Sequence, residues 1–224
     1  MKSKLGKTLI ISGSGISTSF LKEYLKEEVF DYIIAADYGL LTAHKLGLSL
    51  DHILGDFDSV PQEIINEYRE KNKKDKSFII EKYKPEKDYT DTQIAIETAI
   101  ELGAKEIVIV GGTGTRLDHT LSNIQNLLLP LSKNIKCCLV DEHNKLYIID
   151  KSTKIQRKNI FGSYISLLPL TSVVTKVTLK GFKYPLNEYN IEMGHSIGVS
   201  NEIVEDCAEI IFESGLLVVV ESRD

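Results

Sequence analysis

Short runs of apolar residues alternate with longer amphipathic stretches over the first 135 residues. The runs are continuously apolar, which is typical of strands in a parallel sheet that is covered on both faces. They lie at residues 9–11, 32–35, 52–54, 78–80 and 107–110. Alternation of strand and helix over this length predicts a doubly wound parallel α/β domain.

Three of the intervening stretches carry helix signals. Pro61 precedes the first of them, and Thr90 and Gln93 form a capping box at the start of the second, which we expect to end at Gly103. The third has apolar residues at helical spacing, namely Leu117, Leu121, Ile124, Leu128 and Leu131. These signals predict where the helices of the α/β domain begin and end.

The helical spacing stops near residue 135, and short strands separated by glycine-containing turns follow. They lie at residues 145–149, 164–168, 173–179, 208–212 and 216–220. This rhythm is typical of an antiparallel β-sandwich or barrel. We therefore expect an α/β domain over residues 1–135 and a β-sandwich domain over 136–224, with the junction somewhere between 130 and 152.

Composition excludes several classes of protein. The 224 residues are 42% hydrophobic and carry a net charge of −5 with dispersed lysines and arginines, so a basic nucleic-acid surface is not expected. No apolar run reaches the length of a membrane span. Three cysteines make neither a disulfide framework nor a zinc site. These features predict a cytoplasmic protein that binds neither nucleic acid nor membrane.

Acidic residues collect where the predicted parallel strands end. They are Asp37, Asp56, Asp58, Asp88, Asp91 and Asp118, accompanied by Lys87 and Arg116. Ligands of open parallel sheets bind beyond the carboxyl ends of the strands, so four consecutive connections deliver these groups to one edge. Clustered carboxylates repel one another and are the hard oxygen ligands that Mg²⁺ prefers. A magnesium site is therefore favoured, although 56–59 alone also fits an ordinary turn.

Glycines at the same edge suggest phosphate. Residues 111–114 contain three glycines, including Gly112, and precede a helix whose amino terminus favours an anion. Arg116 follows, where a guanidinium can bind phosphate oxygens. Gly13 and Gly15 repeat the theme after the first strand, but the third glycine of a dinucleotide fingerprint and the lysine of a P-loop are missing. A NAD-binding enzyme is thus disfavoured.

Two residues near the acidic edge have more than one interpretation. Lys87 either neutralises charge on a transferred group or pairs with Asp88 at the surface. His119, directly after Asp118 at a helix start, either belongs to the site or is structural, as an isolated histidine more often is, and it is not part of a nucleophilic triad. No candidate for covalent catalysis emerges.

These segments in this order resemble the signature set of thiamine pyrophosphokinases. The resemblance covers residues 35–39, 55–59, 87–91 and 111–120, and continues into the second half at 181–186 and 200–202. It implies a homodimer of two-domain subunits with a composite active site. It also implies that the terminal diphosphate of ATP moves to the thiamine hydroxyl, giving AMP and thiamine diphosphate without a covalent intermediate.

The resemblance assigns roles to individual residues. Those expected to surround Mg²⁺ and the triphosphate are Asp37, Asp56, Asp58 and Asp91, which with Arg116 form the catalytic set. Those expected to bind ATP are Gly13, Lys87, Asp88, Gly112, Arg116, Asp118 and His119. Those expected to bind thiamine are Lys87, Asp91, Tyr184, Ser200 and Asn201. Asp91 is also the candidate acceptor of the hydroxyl proton.

The chain departs from the family pattern in two places. Tyr38 stands where many relatives have a second glycine, and the chain contains no tryptophan. An aromatic wall for the thiamine rings must then come from Tyr or Phe, and Tyr184 is a candidate unless it is a buried tyrosine of the β domain. Two other functions remain open: a diphosphokinase acting on another alcohol such as a hydroxymethylpterin, and a non-catalytic sensor of nucleotide or thiamine diphosphate.

Overall fold

The computed structural model describes residues 5–84 and 88–224. It divides into two compact units, Met1–Glu142 and His143–Asp224. The first unit includes residues 136–142, because the chain forms one more strand there than the sequence pattern indicated, and that strand pairs with the first unit. We call the two parts unit 1 and unit 2.

Unit 1 is built on a sheet in which six parallel strands are described. They are β1 (Lys7–Ile11), β2 (Tyr32–Ala36), β3 (His52–Gly55), β4 (Ile79–Lys82), β5 (Glu106–Val110) and β6 (Lys136–Val140). Their order across the sheet is β4-β3-β2-β1-β5-β6. The apolar runs of β1, β3 and β5 are almost wholly buried, as continuous runs in a doubly covered sheet should be.

Helices follow the strands in alternation. They are α1 (Thr18–Glu27), α2 (Gly39–Leu46), α3 (Gln62–Asp75), α4 (Asp91–Glu101), α5 (Leu117–Asn126) and α6 (Leu128–Leu131). The Thr90 side chain accepts a hydrogen bond from the Gln93 N–H at 3.2 Å, as the capping motif predicts. No helix in the described part of the chain is long and apolar enough to cross a membrane.

The strand order changes direction next to β1. From β1 the chain adds β2, β3 and β4 on one side, then returns to place β5 and β6 on the other. The loops that leave β1 and β5 therefore diverge at a topological switch point, which is where open α/β sheets bind their ligands. The site is expected at the carboxyl ends of these two strands.

Unit 2 consists of antiparallel strands. They are β7 (Asn144–Ile149), β8 (Thr153–Gln156), β9 (Tyr164–Pro169), β10 (Val173–Lys180), β11 (Leu186–Glu192), β12 (Cys207–Ile211) and β13 (Leu217–Ser222). One sheet has the order β7-β13-β9 and the other the order β11-β10-β12-β8. Side chains from both sheets share one buried core, among them Ile165, Val177 and Leu217. Two sheets over a common core form a β-sandwich, and the predicted fold class is confirmed.

The structure differs from the sequence pattern between residues 117 and 140. The single predicted helix is interrupted, and α5 ends before α6 begins around Pro130. Leu117 and Leu121 are exposed, 72% and 61%, so their helical spacing does not mark a core face. Strand β6 follows. It begins with Lys136, so it does not form a continuous apolar run and was not predicted.

Candidate active site

The loops after β1 and β5 are bonded to each other at the switch point. The Ser12 N–H donates to the Val110 carbonyl at 2.8 Å, and the Ser14 N–H donates to the Gly111 carbonyl at 2.9 Å. Gly111 has φ +66°, and a Cβ there would lie 2.7 Å from the Ser12 carbonyl oxygen. Only glycine fits such a position. The backbone itself therefore fixes the β1 and β5 loops relative to each other.

The glycine segment is also anchored to α5. The buried Asn123 side chain donates to the Gly112 carbonyl at 2.7 Å, and the Gly114 N–H donates to the Thr120 hydroxyl at 3.3 Å. Arg116, the N-cap residue of α5, makes no capping hydrogen bond with its side chain. The start of α5 thus keeps the character of an anion site, although the Gly114 N–H has a partner within the chain.

Asp37 occupies an unusual backbone position at the end of β2. Its φ is +46°, its N–H donates to the Leu54 carbonyl at 2.9 Å, and a Cβ on Gly55 would lie 3.1 Å from its Cα. The Ser59 hydroxyl donates to Asp37 Oδ2 at 2.6 Å. Asp37 Oδ1 is buried and has no hydrogen-bond partner among the described residues. A buried acceptor without a donor is costly unless a ligand or cation meets it.

Asp56 and Asp58 lie on a tight turn after β3. Asp56 Oδ1 accepts the Asp58 N–H at 3.0 Å, and Phe57 between them has φ +64° and a buried side chain. The buried Phe57 side chain anchors the turn in the core between the two aspartates. Asp58 is exposed. The segment 56–59 is therefore a turn that also exposes a carboxylate. The turn and the magnesium site that the sequence allowed are compatible with each other.

The start of α4 is bonded to the end of β1. The Ser12 and Thr92 hydroxyls form a buried hydrogen bond of 2.5 Å. Asp91 precedes Thr92 in the first turn of α4, where a carboxylate is favoured by the helix dipole. This contact holds the acidic end of α4 at the switch point.

Arg116 and Asp118 form an ion pair at the start of α5. The Arg116 guanidinium donates to Asp118 Oδ2 at 2.6 Å and to Oδ1 at 3.2 Å. This hydrogen bonding by Arg116 lowers the pKa of the Asp118 carboxyl to about 2. Both side chains are about two-thirds exposed. An exposed pair is weakly held, so the guanidinium can exchange its carboxylate partner for a phosphate.

The acidic residues fit a magnesium ion that is shared with a nucleotide. Among the described residues, no group of three or more His, Cys, Asp or Glu side chains could hold a metal ion alone. Magnesium commonly takes one or two carboxylates and completes its shell with water and substrate phosphates. The unpartnered Oδ1 of Asp37 and the exposed carboxylate of Asp58 suit that mode.

Other predicted ATP-binding residues are less constrained by the structure. Asp88 is exposed in the loop before α4, and His119 is exposed in the first turn of α5. A Cβ on Gly13 would lie 3.9 Å from Asp37 Oδ2, so Gly13 adjoins the acidic cluster. Lys87 lies outside the described residues.

The predicted thiamine-binding residues of unit 2 form a separate cluster. Tyr184 is 58% exposed, which excludes the alternative of a buried tyrosine. Ser200 has φ +56° and its N–H donates to the Ser166 hydroxyl at 3.0 Å. Asn201 is 5% exposed, and its carboxamide is bonded to the backbone of Tyr184. Their roles in binding stay predictions.

Sequence reasoning missed four polar residues at the edge of unit 1. They are Ser12, Ser59, Thr92 and Asp141. Ser59 lies inside the segment 55–59 that marked the acids, and Thr92 directly follows the segment 87–91, so a search for hydroxyls next to these carboxylates could have found them. Asp141 Oδ2 accepts the Thr113 hydroxyl at 2.8 Å. Asp141 directly follows β6, so it could have been found as a strand-end acid only if β6 had been recognised in the sequence.

Comparison with known proteins gives matches along most of the chain. The model of the thiamin pyrophosphokinase catalytic domain matches residues 22–139, and that of the thiamin pyrophosphokinase vitamin B1 binding domain matches residues 152–217. Thiamine pyrophosphokinase of Bacillus subtilis (strain 168) is 33% identical over 192 residues, 85% of this chain and 87% of that protein.

Solved structures agree with this similarity. Thiamine pyrophosphokinase from Bacillus subtilis has a TM-score of 0.83 at 30% identity, covering 98% of this chain and 99% of that one. Yeast thiamin pyrophosphokinase, at 18% identity, shares the fold with a TM-score of 0.77, covering 99% and 87%. With two domain models matched in succession and one relative similar over most of both lengths, the chain belongs to the thiamine pyrophosphokinase family.

Proposed function

We propose that this protein is an ATP-dependent thiamine diphosphokinase. The observation that carries the proposal is that the chain matches, in order, a thiamin pyrophosphokinase catalytic domain and a vitamin B1 binding domain. The acidic, glycine-rich switch point of unit 1 supplies the chemistry that a triphosphate requires. The products are AMP and thiamine diphosphate.

Three features of unit 1 are proposed to bind the nucleotide. The glycine segment around Gly112 leads into the uncapped start of α5, which attracts phosphate oxygens. Arg116 binds oxygens that gain negative charge as AMP leaves, exchanging Asp118 for phosphate. Gly13, Asp88 and His119 are also assigned to the nucleotide, as is Lys87 by the resemblance.

We assign the magnesium ligands to the aspartates of the strand ends. They are Asp37, Asp56, Asp58 and Asp91. When bound, Mg²⁺ would neutralise triphosphate charge and polarise the reacting phosphate. The support is the unpartnered buried oxygen of Asp37 and the exposure of Asp58. Ser59 holds the Asp37 carboxylate in one orientation through its hydrogen bond.

The reaction is an in-line transfer without a covalent intermediate. The thiamine hydroxyl oxygen forms a bond to the β-phosphorus of ATP, and the bond from that phosphorus to the α,β-bridging oxygen breaks. AMP leaves with that oxygen, and the hydroxyl proton passes to a carboxylate, for which Asp91 is our candidate. Positioning and electrostatic stabilisation supply most of the acceleration in transfers of this kind.

Thiamine is proposed to contact unit 2 through Tyr184 and Ser200. Tyr184 supplies an exposed aromatic face in a chain without tryptophan. A cationic thiazolium ring is attracted to such a face. Asp91 and Lys87 are assigned to the hydroxyl end of thiamine.

The proposed assembly is a homodimer with a composite active site. Its support is the family resemblance, together with large apolar side chains that each unit exposes, such as Leu117 in unit 1 and Met193 in unit 2. Sedimentation equilibrium of the purified protein tests the dimer, and a monomer at micromolar concentration would contradict it.

Product analysis tests the reaction. Purified protein is incubated with ATP, Mg²⁺ and thiamine, and nucleotides and thiamine species are separated by chromatography. We expect AMP and thiamine diphosphate in equal amounts, and neither when EDTA is added. ADP with thiamine monophosphate would show that a different phosphorus is attacked. Turnover of a hydroxymethylpterin but not of thiamine would replace the acceptor in the proposal.

A further inference from the structure

Asn201 joins two parts of unit 2 through its backbone and its side chain separately. Its backbone pairs with Ile165 of β9, since the Ile165 N–H donates to the Asn201 carbonyl at 2.7 Å and the Asn201 N–H donates back at 3.0 Å. Both backbone groups are therefore committed to β9. Any hydrogen bond from Asn201 to the segment 182–184, on the side away from β9, therefore has to use the Asn201 side chain.

The carboxamide of Asn201 makes that contact. The Tyr184 N–H donates to Asn201 Oδ1 at 3.0 Å, and Asn201 Nδ2 donates to the Tyr184 carbonyl at 2.7 Å. Oδ1 also accepts the Glu202 N–H at 2.9 Å. Two reciprocal hydrogen bonds to one residue reproduce with a side chain what a neighbouring strand does with its backbone.

The backbone pairing on either side shows why a side chain is needed here. Phe182 is bridged to Ile203, and the Lys183 N–H donates to the Glu202 carbonyl at 2.9 Å. Continued pairing would bring Tyr184 opposite Asn201, whose backbone is already used by β9. Asparagine is suited to this position because its side-chain amide can both donate and accept a hydrogen bond.

We propose that Asn201 is a positioning residue, which holds Tyr184 in the orientation that contacts the thiamine ring. The inference rests on the proposed function and changes the role that the sequence assigned to Asn201, from substrate contact to support. Asn201 is 5% exposed, whereas Tyr184 is 58% exposed. The buried residue is bonded within the chain, and the exposed residue offers the surface to a ligand.

A double-mutant cycle on the full-length enzyme separates support from direct contact. We expect Asn201→Ala and Tyr184→Ala each to raise KM for thiamine about tenfold, within the range of coupling between contacting residues. The double variant should match Tyr184→Ala, because Asn201 acts through Tyr184. KM values whose increases multiply in the double variant would show that Asn201 has its own contact with thiamine and would overturn the proposal.

A second measurement does not depend on turnover. The chain has no tryptophan, so Tyr184→Trp introduces a single indole whose fluorescence can report thiamine binding directly. Adding Asn201→Ala to this variant should raise Kd for thiamine about tenfold. An unchanged Kd, or an indole signal that thiamine does not alter, would overturn the proposal. Thiamine binding without turnover would instead remove the proposed catalysis and leave the positioning role intact.

Two further variants separate positioning from general loss of structure. Asn190→Ala removes another asparagine oxygen that accepts a backbone N–H, that of Lys176 at 3.0 Å, and it should leave KM for thiamine unchanged. Asn201→Asp keeps both accepted hydrogen bonds but sets a carboxylate oxygen against the Tyr184 carbonyl in place of the donor, and it buries a charge. It should raise Kd for thiamine no less than Asn201→Ala, and a Kd equal to that of the parent would overturn the proposal. Equal effects of Asn190→Ala and Asn201→Ala on KM would identify a merely structural role and overturn the proposal.

Discussion

The carboxyl edge of unit 1 and the segment around Asn201 in unit 2 were both assigned to ligand binding, and they use their polar side chains differently. In unit 1, the loops are fixed by backbone hydrogen bonds, by glycines at close approach and by side chains outside the acidic set, such as Asn123 and Thr92, and the Asp58 side chain is exposed. In unit 2, the Asn201 carboxamide is itself part of the framework. A polar residue in a binding motif can thus either contact the ligand or stabilise the local structure of the chain.

The difference follows from what each loop can use for support. At the sheet edge of unit 1, left-handed backbone at Asp37 and Phe57 bends the chain. The Asp56 carboxylate takes part in the turn by accepting the Asp58 N–H, whereas the Asp58 carboxylate is exposed. In unit 2 the backbone of Asn201 is already occupied by β9. Replacement of edge side chains should therefore affect activity, whereas replacement of Asn201 should affect both stability and binding.

The largest effect is expected for Asp58→Asn. Loss of the charge should lower kcat about 100-fold or more, a typical magnitude for removing one electrostatic group from an active site. Because Asp58 is exposed, the free energy of unfolding should change by less than about 0.5 kcal/mol. Steady-state kinetics at saturating magnesium and urea unfolding followed by circular dichroism measure the two quantities.

Glu27→Gln is the matched control for Asp58→Asn. It removes one exposed carboxylate at the end of α1, away from the carboxyl ends of the strands. We expect both kcat and stability to match the parent. An unchanged kcat in Asp58→Asn would remove Asp58 from the mechanism, and an equal loss in Glu27→Gln would show that overall charge is responsible.

The next largest effect is expected for Gly111→Ala, which tests whether the backbone carries the architecture of unit 1. A Cβ would lie 2.7 Å from the Ser12 carbonyl oxygen and 2.8 Å from that of Ser14, at a φ of +66°. Overpacking and left-handed strain together should destabilise the protein by about 2–4 kcal/mol. Urea unfolding measures the change.

Gly15→Ala provides the comparison within the same pair of loops. A Cβ on Gly15 has nothing within 4 Å, so we expect a change smaller than about 0.5 kcal/mol. If Gly111→Ala were as mild as Gly15→Ala, the close packing between the β1 and β5 loops would not contribute to stability. The contrast drawn between the two units would then fail.

Asn201→Ala is expected to destabilise unit 2 by about 1–3 kcal/mol, the cost of leaving backbone groups without partners. The affected groups include the N–H and C=O of Tyr184. The rate constant kcat should change little at saturating thiamine, since we propose that the chemistry takes place at the carboxylates of unit 1. Denaturation and kinetics on the same preparation measure both, and a stable variant with reduced kcat would reverse the comparison.

Much of the fold could be predicted from the sequence, because its strongest signals are local. The apolar runs of β1 to β5 and the cap at Thr90 need no tertiary information to be recognised. Strand β6 was missed since it begins with Lys136 and two half-buried cysteines. Leu117 and Leu121 were misread as core positions because helical spacing does not reveal which face is covered.

The candidate site was predictable to a different extent in the two units. Strand ends collect the acids of unit 1 at one edge by topology alone, so Asp37 and Asp58 could be grouped from the sequence. The support of Asp37 by Ser59 depends on the path of the turn between them. The role of Asn201 depends on pairing with Ile165, 36 positions away in the numbering, which no local pattern encodes.

The smallest effect concerns the Arg116–Asp118 pair, and it tests whether partners at the edge of unit 1 are exchangeable. Hydrogen bonding by Arg116 lowers the folded-state pKa of Asp118 to about 2. Any stability that the pair contributes is therefore present above the usual aspartate pKa of about 3.9 and lost as pH falls through the folded value. The pair is exposed and screened by solvent, so Arg116→Gln should leave the stability at pH 7 nearly unchanged.

Titration of the Asp118 carboxyl by NMR reads the exchange directly. The midpoint should rise towards about 3.9 in Arg116→Gln, and also in the parent when a non-hydrolysable ATP analogue draws the guanidinium to phosphate. Lys183→Gln is the control, because its ion pair with Glu202 at 2.6 Å lies in unit 2 and should not affect Asp118. A midpoint that stays near 2 with the analogue bound would mean that Arg116 keeps its carboxylate partner, as Asn201 keeps Tyr184, and the two regions would then not differ in this respect.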